Sequence, residues 1–183
     1  MYLYYTTHKH FVKRQGAFIL PERSDNVADR INQPHDVRIK QLKAEVNLAW
    51  SQTFGTDRTE RFDTAQKFVD SECIRLMVPY TPAKDNILYK SATLGTKIGS
   101  GHIVYQIPYA RYQYYGKLMV SSVTGSAWAR HGESKVLTDT PLEYNTNSRH
   151  KQAGPYWFER MKADRMPQIQ RGAAKIAGGT PTK

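Results

Sequence analysis

The segment from Asp57 to Val78 constrains the fold more than any other part of the sequence, because its apolar residues recur at steps of three and four. That spacing places them on one face of an α-helix. Asp57 and Glu60 have the spacing of a capping box, and Pro79 bars the helix from continuing. The segment therefore predicts a helix of about 20 residues, roughly 30 Å long. Its buried stripe would consist of Phe62, Ala65, Val69, Cys73 and Leu76.

A pair of strands is predicted directly after this helix. Residues 92–98 and 103–107 alternate apolar and polar side chains, and Gly99 to Gly101 between them suit a tight turn. Two strands alone are only marginally stable in water, so we expect them to pair with others or to pack on the long helix. The predicted core consists of Phe62, Val69, Leu76, Leu94, Ile98, Ile103, Tyr105 and Ile107.

The chain on either side of this core carries weaker signals. Residues 1–36 are polar and interrupted by prolines, which predicts an N-terminal arm or extension. Residues 37–46 alternate well enough for a strand, although their apolar residues also suit a helix. Residues 118–153 contain no sustained period, and a stretch of that length without structure is uncommon unless it is functional or inserted. We therefore predict a long loop there.

A second helix is predicted near the C-terminus. Trp157, Phe158 and Met161 form its apolar side, and Pro167 is expected to break it and to start another helix. These signals together give the expected division of the chain, which is an arm over residues 1–36, one domain over residues 37–177 and a disordered tail over residues 178–183.

The segment from Pro108 to Lys117 contains four tyrosines and one arginine in ten residues. Its opening proline and its penultimate glycine suit the start and the end of a short helix. Aromatic side chains beside an arginine can stack single-stranded bases, but that use generally needs several basic neighbours as well. An exposed tyrosine cluster also suits a protein–protein contact, which is the reading that we favour.

Tyr109, Tyr112 and Tyr115 are spaced like one face of this helix, with Tyr114 and Arg111 elsewhere. We expect Tyr109 and Tyr112 to pack on the core, and Tyr114 and Tyr115 to face outward. With the predicted long loop, this segment would carry the contacts to other protein chains. The candidate interface residues are Tyr109, Arg111, Tyr112, Tyr114, Tyr115, Lys117, Trp128, Arg130 and Tyr144.

The chain has a formal net charge of +11, from 27 Lys and Arg against 16 Asp and Glu, and the excess is spread along its length. Such a diffuse positive field favours polyanions or acidic protein surfaces, and it weakens as salt increases. Both kinds of partner stay open on this observation. The residues that could face DNA are Lys97, Arg160, Lys162 and Arg165.

The sequence contains no motif for catalysis or for cofactor binding, since glycine-rich phosphate loops and a nucleophile elbow are both missing. His8 and His10 could chelate a metal, but no third ligand has zinc spacing and Cys73 is the single cysteine. No apolar run approaches the ~18 residues that span a bilayer, and the N-terminus lacks the pattern of a secretory signal. We therefore expect a protein that is not an enzyme, binds no cofactor and does not enter a membrane.

Three blocks of the sequence share a pattern with a known family. They read VPYTPAKDNILYKSA from Val78, GSGHIVYQIPYARYQYYGK from Gly99 and AGPYWFERMKAD from Ala153. The matching residues are Pro79, Tyr80, Pro82, Leu88 and Ser91, then Tyr105, Pro108, Tyr109, Ala110, Tyr112 and Gly116, and finally Trp157, Phe158 and Glu159. Over about residues 57–177 the chain thus resembles the minor capsid, or tail-completion, proteins of long-tailed phages of Gram-positive bacteria. Lys84 and Asp85 depart from the Thr-Gly that is usual in that family.

This resemblance implies an α+β fold in which helices pack against a small curved antiparallel sheet. It implies a structural role at the head–tail neck, where copies of the chain, sixfold or twelvefold, form a ring that completes the tail or joins it to the connector. The implied partners are the connector or head-closure protein and the tail terminator or tail tube protein, with transient, sequence-independent proximity to genomic DNA. Assembly would take place in the host cytoplasm and the product would reside in the virion. The alternative is a basic nucleic-acid-binding module that contacts duplex DNA.

Overall fold

The structure, a computed structural model, describes residues 2–4, 30–41, 44–147 and 149–180. These residues form helices and antiparallel strand pairs, so the expected α+β class is confirmed. The strands form three separate pairs, β1 with β4, β2 with β3 and β5 with β6, in place of one curved sheet. The elements are β1 (Tyr2–Tyr4), β2 (Val37–Gln41), β3 (Ala44–Leu48), α1 (Phe54–Met77), α2 (Ile87–Gly95), β4 (His102–Val104), α3 (Ala110–Tyr115), β5 (Lys117–Ser121), β6 (Lys135–Pro141) and α4 (Trp157–Ala177).

The core lies where α1 and α4 pack against each other, with β4 and α3 beside them. The predicted long helix is confirmed as α1, and Cys73 on its buried stripe is only 1% exposed. Burial raises the pKa of the Cys73 thiol to about 12, with smaller contributions from the carboxylates of Asp70 and Glu72. Cys73 is therefore a structural thiol, because a nucleophilic cysteine needs a lowered pKa.

Two details of α1 differ from the prediction. The capping box does not form: the helix begins after Thr53, and the Asp57 carboxylate accepts a hydrogen bond of 2.9 Å from the Thr53 hydroxyl. Phe62, expected in the core, is 48% exposed, whereas Ala65, Cys73 and Met77 of the same helix are buried. Val69 and Leu76 are half-buried against the core, as is Ile107, whereas Ile103 and Tyr105 are fully buried as predicted.

The helix α4 does not break at Pro167 but continues through it to Ala177. Trp157, Met161 and Ile169 are buried on both sides of the proline, so packing against α1 holds the two halves in line. Gly172 allows this close approach, because a Cβ atom there would lie 2.3 Å from the ring of Phe68. The prediction of a break was wrong because tertiary packing outweighs the hydrogen bond that one proline removes.

The strand predicted over residues 92–98 is also wrong, since this region forms the end of α2 and the loop after it. Leu88, Ser91 and Ala92 are buried at helical spacing, whereas Leu94 is 82% exposed and Ile98 is 42% exposed. The alternating residues that suggested a strand also fit a helix, and burial of Leu88 favours the helix. Two of the predicted core residues, Leu94 and Ile98, therefore lie on the surface.

The glycine turn forms as predicted, but it leads from α2 into β4. Gly99 and Gly101 have positive φ angles, and their N–H groups donate to the buried carboxylate of Asp70 at 2.7 and 3.2 Å. After the turn, β4 places Ile103 in the core and pairs with β1 in the antiparallel register Tyr2–Val104 and Tyr4–His102. A buried side chain of α1 thus fixes the start of β4.

Two β-hairpins complete the fold. Val37–Gln41 and Ala44–Leu48 pair as the hairpin β2–β3, which confirms the strand predicted in this region. Residues 118–153 are not a structureless loop, because β5 and β6 pair in it with Met119 opposite Leu137 and Val120 opposite Val136. Most of the predicted arm, residues 5–29, and the last residues of the predicted tail, 181–183, lie outside the described residues.

Candidate protein-interaction surfaces

The aromatic segment is built around Tyr114, which is buried and does not face outward. Its side chain is 4% exposed, and its ring centroid lies 4.7 Å from that of Trp157 in an edge-to-face contact. The Tyr114 hydroxyl donates a hydrogen bond to the Glu159 carboxylate. Burial raises the pKa of Tyr114 well above its ordinary value, and the hydrogen bond to Glu159 raises it further. Tyr114, predicted at an interface and expected to face outward, lies inside the subunit, where it joins α3 to α4.

Backbone hydrogen bonds hold this cluster in place. α3 ends at Gly116 with a φ of 70°, and the carbonyl of Gly116 accepts from the N–H of Leu142 at 2.8 Å. The N–H of Tyr156, which has a φ of 50°, donates to the carbonyl of Tyr114 at 2.9 Å. The Tyr144 hydroxyl donates to the carbonyl of Gln113 at 2.5 Å. Tyr144, predicted at an interface, is therefore half-buried and bonded within the chain.

Tyrosines on either side of Tyr114 do reach the surface. Tyr115 is 44% exposed, as predicted, and the ring of Tyr156, also exposed, lies 6.1 Å from it. Tyr109, expected to pack inward, is exposed, and Arg111 is exposed beside it on α3. Tyr112 is half-buried under the Lys135 ammonium group, 5.8 Å from the ring centroid. The exposed aromatic patch thus consists of Tyr115 and Tyr156, while Tyr109 is exposed at a separate place on the surface.

A cleft of about 400 Å³ lies beside Tyr109 and Tyr144. Its wall includes Lys84 and Asp85, the two residues at which the chain departs from the family pattern. Burial raises the pKa of Tyr109, and the negative charge of Asp85 raises it further. Tyr115 does not line this cleft; it lines another one together with Arg111, so Tyr109 and Tyr115 belong to different parts of the surface.

The hairpin β5–β6 carries a second exposed aromatic group at its tip. Trp128 is 86% exposed, and Arg130 beside it is exposed as well, as expected of interface residues. The Glu133 carboxylate accepts hydrogen bonds from the Ser121 hydroxyl at 2.7 Å and from the Arg130 N–H at 3.1 Å, which orders the tip. Lys117 forms an ion pair of 3.3 Å with Asp139 near the base of the hairpin.

The hairpin β2–β3 has an apolar face that the sequence reading did not single out. Cross-strand partners in an antiparallel pair lie on the same face, and Val37 is opposite Leu48 while Ile39 is opposite Val46. All four side chains are 46–58% exposed, and every residue of both strands is exposed. The opposite face carries the charges, including the ion pair of Arg38 with Glu45. Alternation across both strands was the signal that could have revealed this face.

Among the residues that the structure describes, the hydrogen bonds that anchor this hairpin to the body lie at its base. The Trp50 N–H donates to the Asp36 carboxylate at 2.8 Å, across the point where the two strands leave the body. Just before the hairpin, the Gln33 side chain accepts from the Gly55 N–H at 2.9 Å, and the Ile31 N–H donates to the Thr59 hydroxyl at 3.1 Å. These bonds fix the hairpin to the start of α1 while leaving both of its faces uncovered.

The candidate DNA-facing residues do not lie on one element. Lys97 lies in the loop after α2, while the other three lie on α4, all of them exposed. Arg160 packs its guanidinium 5.7 Å from the ring centroid of Tyr80, whose hydroxyl donates to Asp164 at 2.7 Å. Lys162 and Arg165, one turn apart, make no ion pair among those that the described residues form.

Within residues 2–4, 30–41, 44–147 and 149–180, no group of three His, Cys, Asp or Glu residues could hold a metal ion. His8 and His10 lie outside the described residues. No helix in the part of the chain that the structure describes has both the length and the apolar character to cross a membrane.

Comparisons with protein-family models, with curated proteins and with solved structures gave no match to this chain. The sequence motifs and the exposed surfaces of the structure are therefore the basis for assigning a function. These surfaces are the exposed aromatic patch, the tip of β5–β6 and the apolar face of β2–β3.

Proposed function

We propose that this chain is a structural subunit of the head–tail neck of a long-tailed phage, where its copies form a ring that completes the tail or joins it to the connector. The observation that carries the proposal is the apolar face of β2–β3. A two-stranded hairpin is marginally stable by itself, and one with an open apolar face gains stability when a partner covers that face. Because the face bears no charge, a second copy of a chain with net charge +11 can approach it without burying like charges.

The apolar area of the β2–β3 face is smaller than the area that stable protein interfaces bury. Four side chains that are about half exposed present on the order of 300 Å² of apolar surface. At about 25 cal/mol per Å², covering them yields roughly 7 kcal/mol. Association itself costs on the order of 4–15 kcal/mol, and stable interfaces bury about 800 Å² per partner. The hairpin alone therefore gives weak association, and the exposed aromatic patch and the Trp128 tip have to contribute to a stable ring.

The family motifs support the proposal because residues from separate blocks bond to each other. The indole N–H of Trp157 donates to the Tyr105 hydroxyl at 3.0 Å, and Tyr114 of the same middle block donates to Glu159 of the last block. In the first block, the hydroxyl of Tyr80 reaches Asp164, which lies one and a half turns after Glu159 on α4. Motifs that interlock in three dimensions are less easily matched by chance than isolated short motifs.

In this role the chain would contact copies of itself, the connector or head-closure protein, and the tail terminator or tail tube protein. A closed ring needs a heterologous contact, in which two different surfaces of each subunit meet. The uncharged hairpin face and the aromatic patch are two such surfaces on different elements. Genomic DNA passing through the ring would meet lysine and arginine side chains through sequence-independent attraction.

The oligomeric state of matched surface variants tests the proposal. Ile39→Ser with Val46→Ser removes the centre of the apolar face, whereas Lys40→Ser with Asn47→Ser makes the same change on the opposite face. We expect the wild type and the second variant to form the same ring by light scattering and native mass spectrometry, and the first variant to stay monomeric. An antibody against the chain should label the head–tail junction of purified particles. Equal assembly of both variants, or a label elsewhere on the particle, would contradict the proposal.

Duplex DNA binding is a second candidate function, supported by the exposed cations of α4. Lys162 and Arg165 lie one turn apart, and Arg171 and Lys175 continue the exposed basic residues toward the C-terminus of the helix. A DNA-binding module predicts micromolar or tighter binding to duplex at physiological salt, and a steep loss of affinity as salt rises. A ring subunit predicts little binding as a monomer. A titration of labelled duplex at two salt concentrations distinguishes the two functions.

A further inference from the structure

The strand β4 depends on β1 for its pairing. Within the part of the chain that the structure describes, their sheet contains two strands, in the register Tyr2–Val104, Leu3–Ile103 and Tyr4–His102. Without β1, the edge of β4 that it covers would expose unpaired N–H and C=O groups, which attract another strand. β4 is thus an acceptor for an extended segment.

The acceptor strand is held rigidly by its surroundings. Ile103 is fully buried, and the N–H of Val104 donates to the Thr96 hydroxyl at 3.0 Å. Gly95 packs so closely that a Cβ atom there would lie 2.7 Å from the carbonyl oxygen of Val104. The Asp70 carboxylate fixes the turn before β4. A preformed edge of this kind binds an added strand with little cost of ordering.

The donor strand is connected to the body only through a long stretch of sequence. Residues 5–29 separate β1 from Arg30, and about 25 residues span at most about 85 Å when extended. A folded chain of this length has a radius of gyration of about 16 Å, so the centres of two touching copies lie on the order of 40 Å apart. The connection is therefore long enough for β1 to reach β4 of an adjacent copy.

We propose that, in the assembled ring, β1 of each copy pairs with β4 of its neighbour in place of its own β4. This inference rests on the ring proposed above. The backbone hydrogen bonds are the same in both arrangements, so the choice depends on the effective concentration at which β4 meets each β1. In a free subunit only its own β1 is close. Contact between neighbours brings a second β1 to a similar effective concentration, and the exchange then ties each subunit to the next.

A pair of cysteines placed in register distinguishes the two arrangements. Tyr2→Cys and Val104→Cys are combined in a Cys73→Ala background, because paired positions in an antiparallel sheet lie about 4.5–5.5 Å apart between Cα atoms, within the range of a disulfide. The variant is oxidised at a concentration at which the wild type is oligomeric and is analysed on a non-reducing gel. We expect a ladder of covalent multimers that ends at the ring size.

Mixing single variants provides the matched control. Tyr2→Cys mixed with Val104→Cys is expected to give covalent dimers, whereas Tyr2→Cys mixed with Val123→Cys, at the exposed tip of β5–β6, is not. The register pair Tyr4→Cys and His102→Cys repeats the test if one of the first variants folds poorly.

The outcomes separate this inference from the proposed function. A ring by light scattering with only internal disulfides, seen as monomers on the gel, overturns strand exchange and leaves the ring intact. A ring with no disulfide in either pair also overturns it, because β1 then does not pair with β4. A protein that stays monomeric with internal disulfides overturns both proposals.

Discussion

Replacing Tyr114 with alanine is expected to destabilise the whole fold, because the side chain fills the junction of α3 and α4. Its ring contacts those of Trp157, Tyr115 and Tyr156 at centroid distances of 4.7, 5.6 and 5.6 Å. Truncation of a buried aromatic residue costs about 3–5 kcal/mol, from lost apolar burial and from the cavity that remains. For a chain of this size 1 kcal/mol shifts the melting temperature by about 2–4 °C, so we expect a decrease of roughly 10 °C. Thermal unfolding followed by circular dichroism at 222 nm measures it.

The neighbouring Tyr115 provides the matched control, since it has the same side chain on the same short helix but is 44% exposed. Tyr115→Ala is expected to cost under about 1 kcal/mol. Tyr114→Phe keeps the ring and removes the hydroxyl that donates to Glu159, which should cost about 1 kcal/mol. Equal melting temperatures for Tyr114→Ala and Tyr115→Ala would refute the reasoning, because they would show that Tyr114 contributes no packing that Tyr115 lacks.

Three further predictions concern a glycine, a thiol and a phenol. Gly116→Ala should lower the free energy of unfolding by about 2 kcal/mol in urea titrations, because Gly116 has a φ of 70° and a Cβ atom there would lie 2.9 Å from Pro155. Gly125→Ala is the control for the backbone strain alone, about 1 kcal/mol, because Gly125 has a φ of 66° and no atom within 4 Å of an added Cβ. Cys73, with a pKa raised to about 12, should resist alkylation by iodoacetamide at pH 8 until urea unfolds the protein, and rapid labelling of folded protein would contradict its burial. Burial raises the pKa of Tyr144 from 10.0 to about 12. The protonated hydroxyl therefore contributes its full stabilisation below pH 10, and this contribution is lost as the pH rises toward 12. In Tyr144→Phe the loss of stability between about pH 9 and pH 11 should be smaller, which urea midpoints at the two pH values measure.

The long helix could be predicted because its signal is local and repeated. Its apolar residues keep the helical period over several turns, and Pro79 marks where it must end. In the region of α2 the pattern of apolar residues is short, and residues from Ala92 to Ile98 fit the period of a helix as well as that of a strand. What decides between them is burial of Leu88 against the core, together with the hydrogen bonds from the glycine turn to Asp70. The residues that form the bonds to Asp70 are about 30 positions from it in the sequence, so a local pattern of hydrophobic residues cannot predict them.

The orientation of the aromatic segment could not be read from its own spacing. Helical spacing places Tyr109, Tyr112 and Tyr115 near one face, but it does not tell which face meets the core. The answer comes from Trp157 and Glu159, which lie more than 40 positions further along the chain and take Tyr114 into the interior. The positions of residues on a short helix were thus predictable, while their burial was not.

The exposed face of β2–β3 illustrates the reverse case. The alternation that forms it was visible in the sequence, and from it an apolar face could be predicted. An apolar face normally predicts burial within the same subunit. That this face stays open depends on where Trp50 and Asp36 close the base of the hairpin, which directs both strands away from the core.

Most of the residues that carry the family resemblance and the surfaces that would carry the proposed function are different parts of this molecule, although Tyr109 matches the family pattern and is exposed. Tyr105, Tyr114 and Trp157 are buried, with their polar groups bonded inside the subunit, so substitutions there act on folding. The β2–β3 face and the Trp128 tip make few contacts with the body, so substitutions there should leave the melting temperature nearly unchanged and alter assembly alone. In the proposed ring, we therefore expect the exposed hairpins, and not the buried motif residues, to make the contacts with a neighbouring ring. Loss of assembly at unchanged stability in a hairpin variant, set against loss of stability in Tyr114→Ala, would distinguish the two roles within one protein.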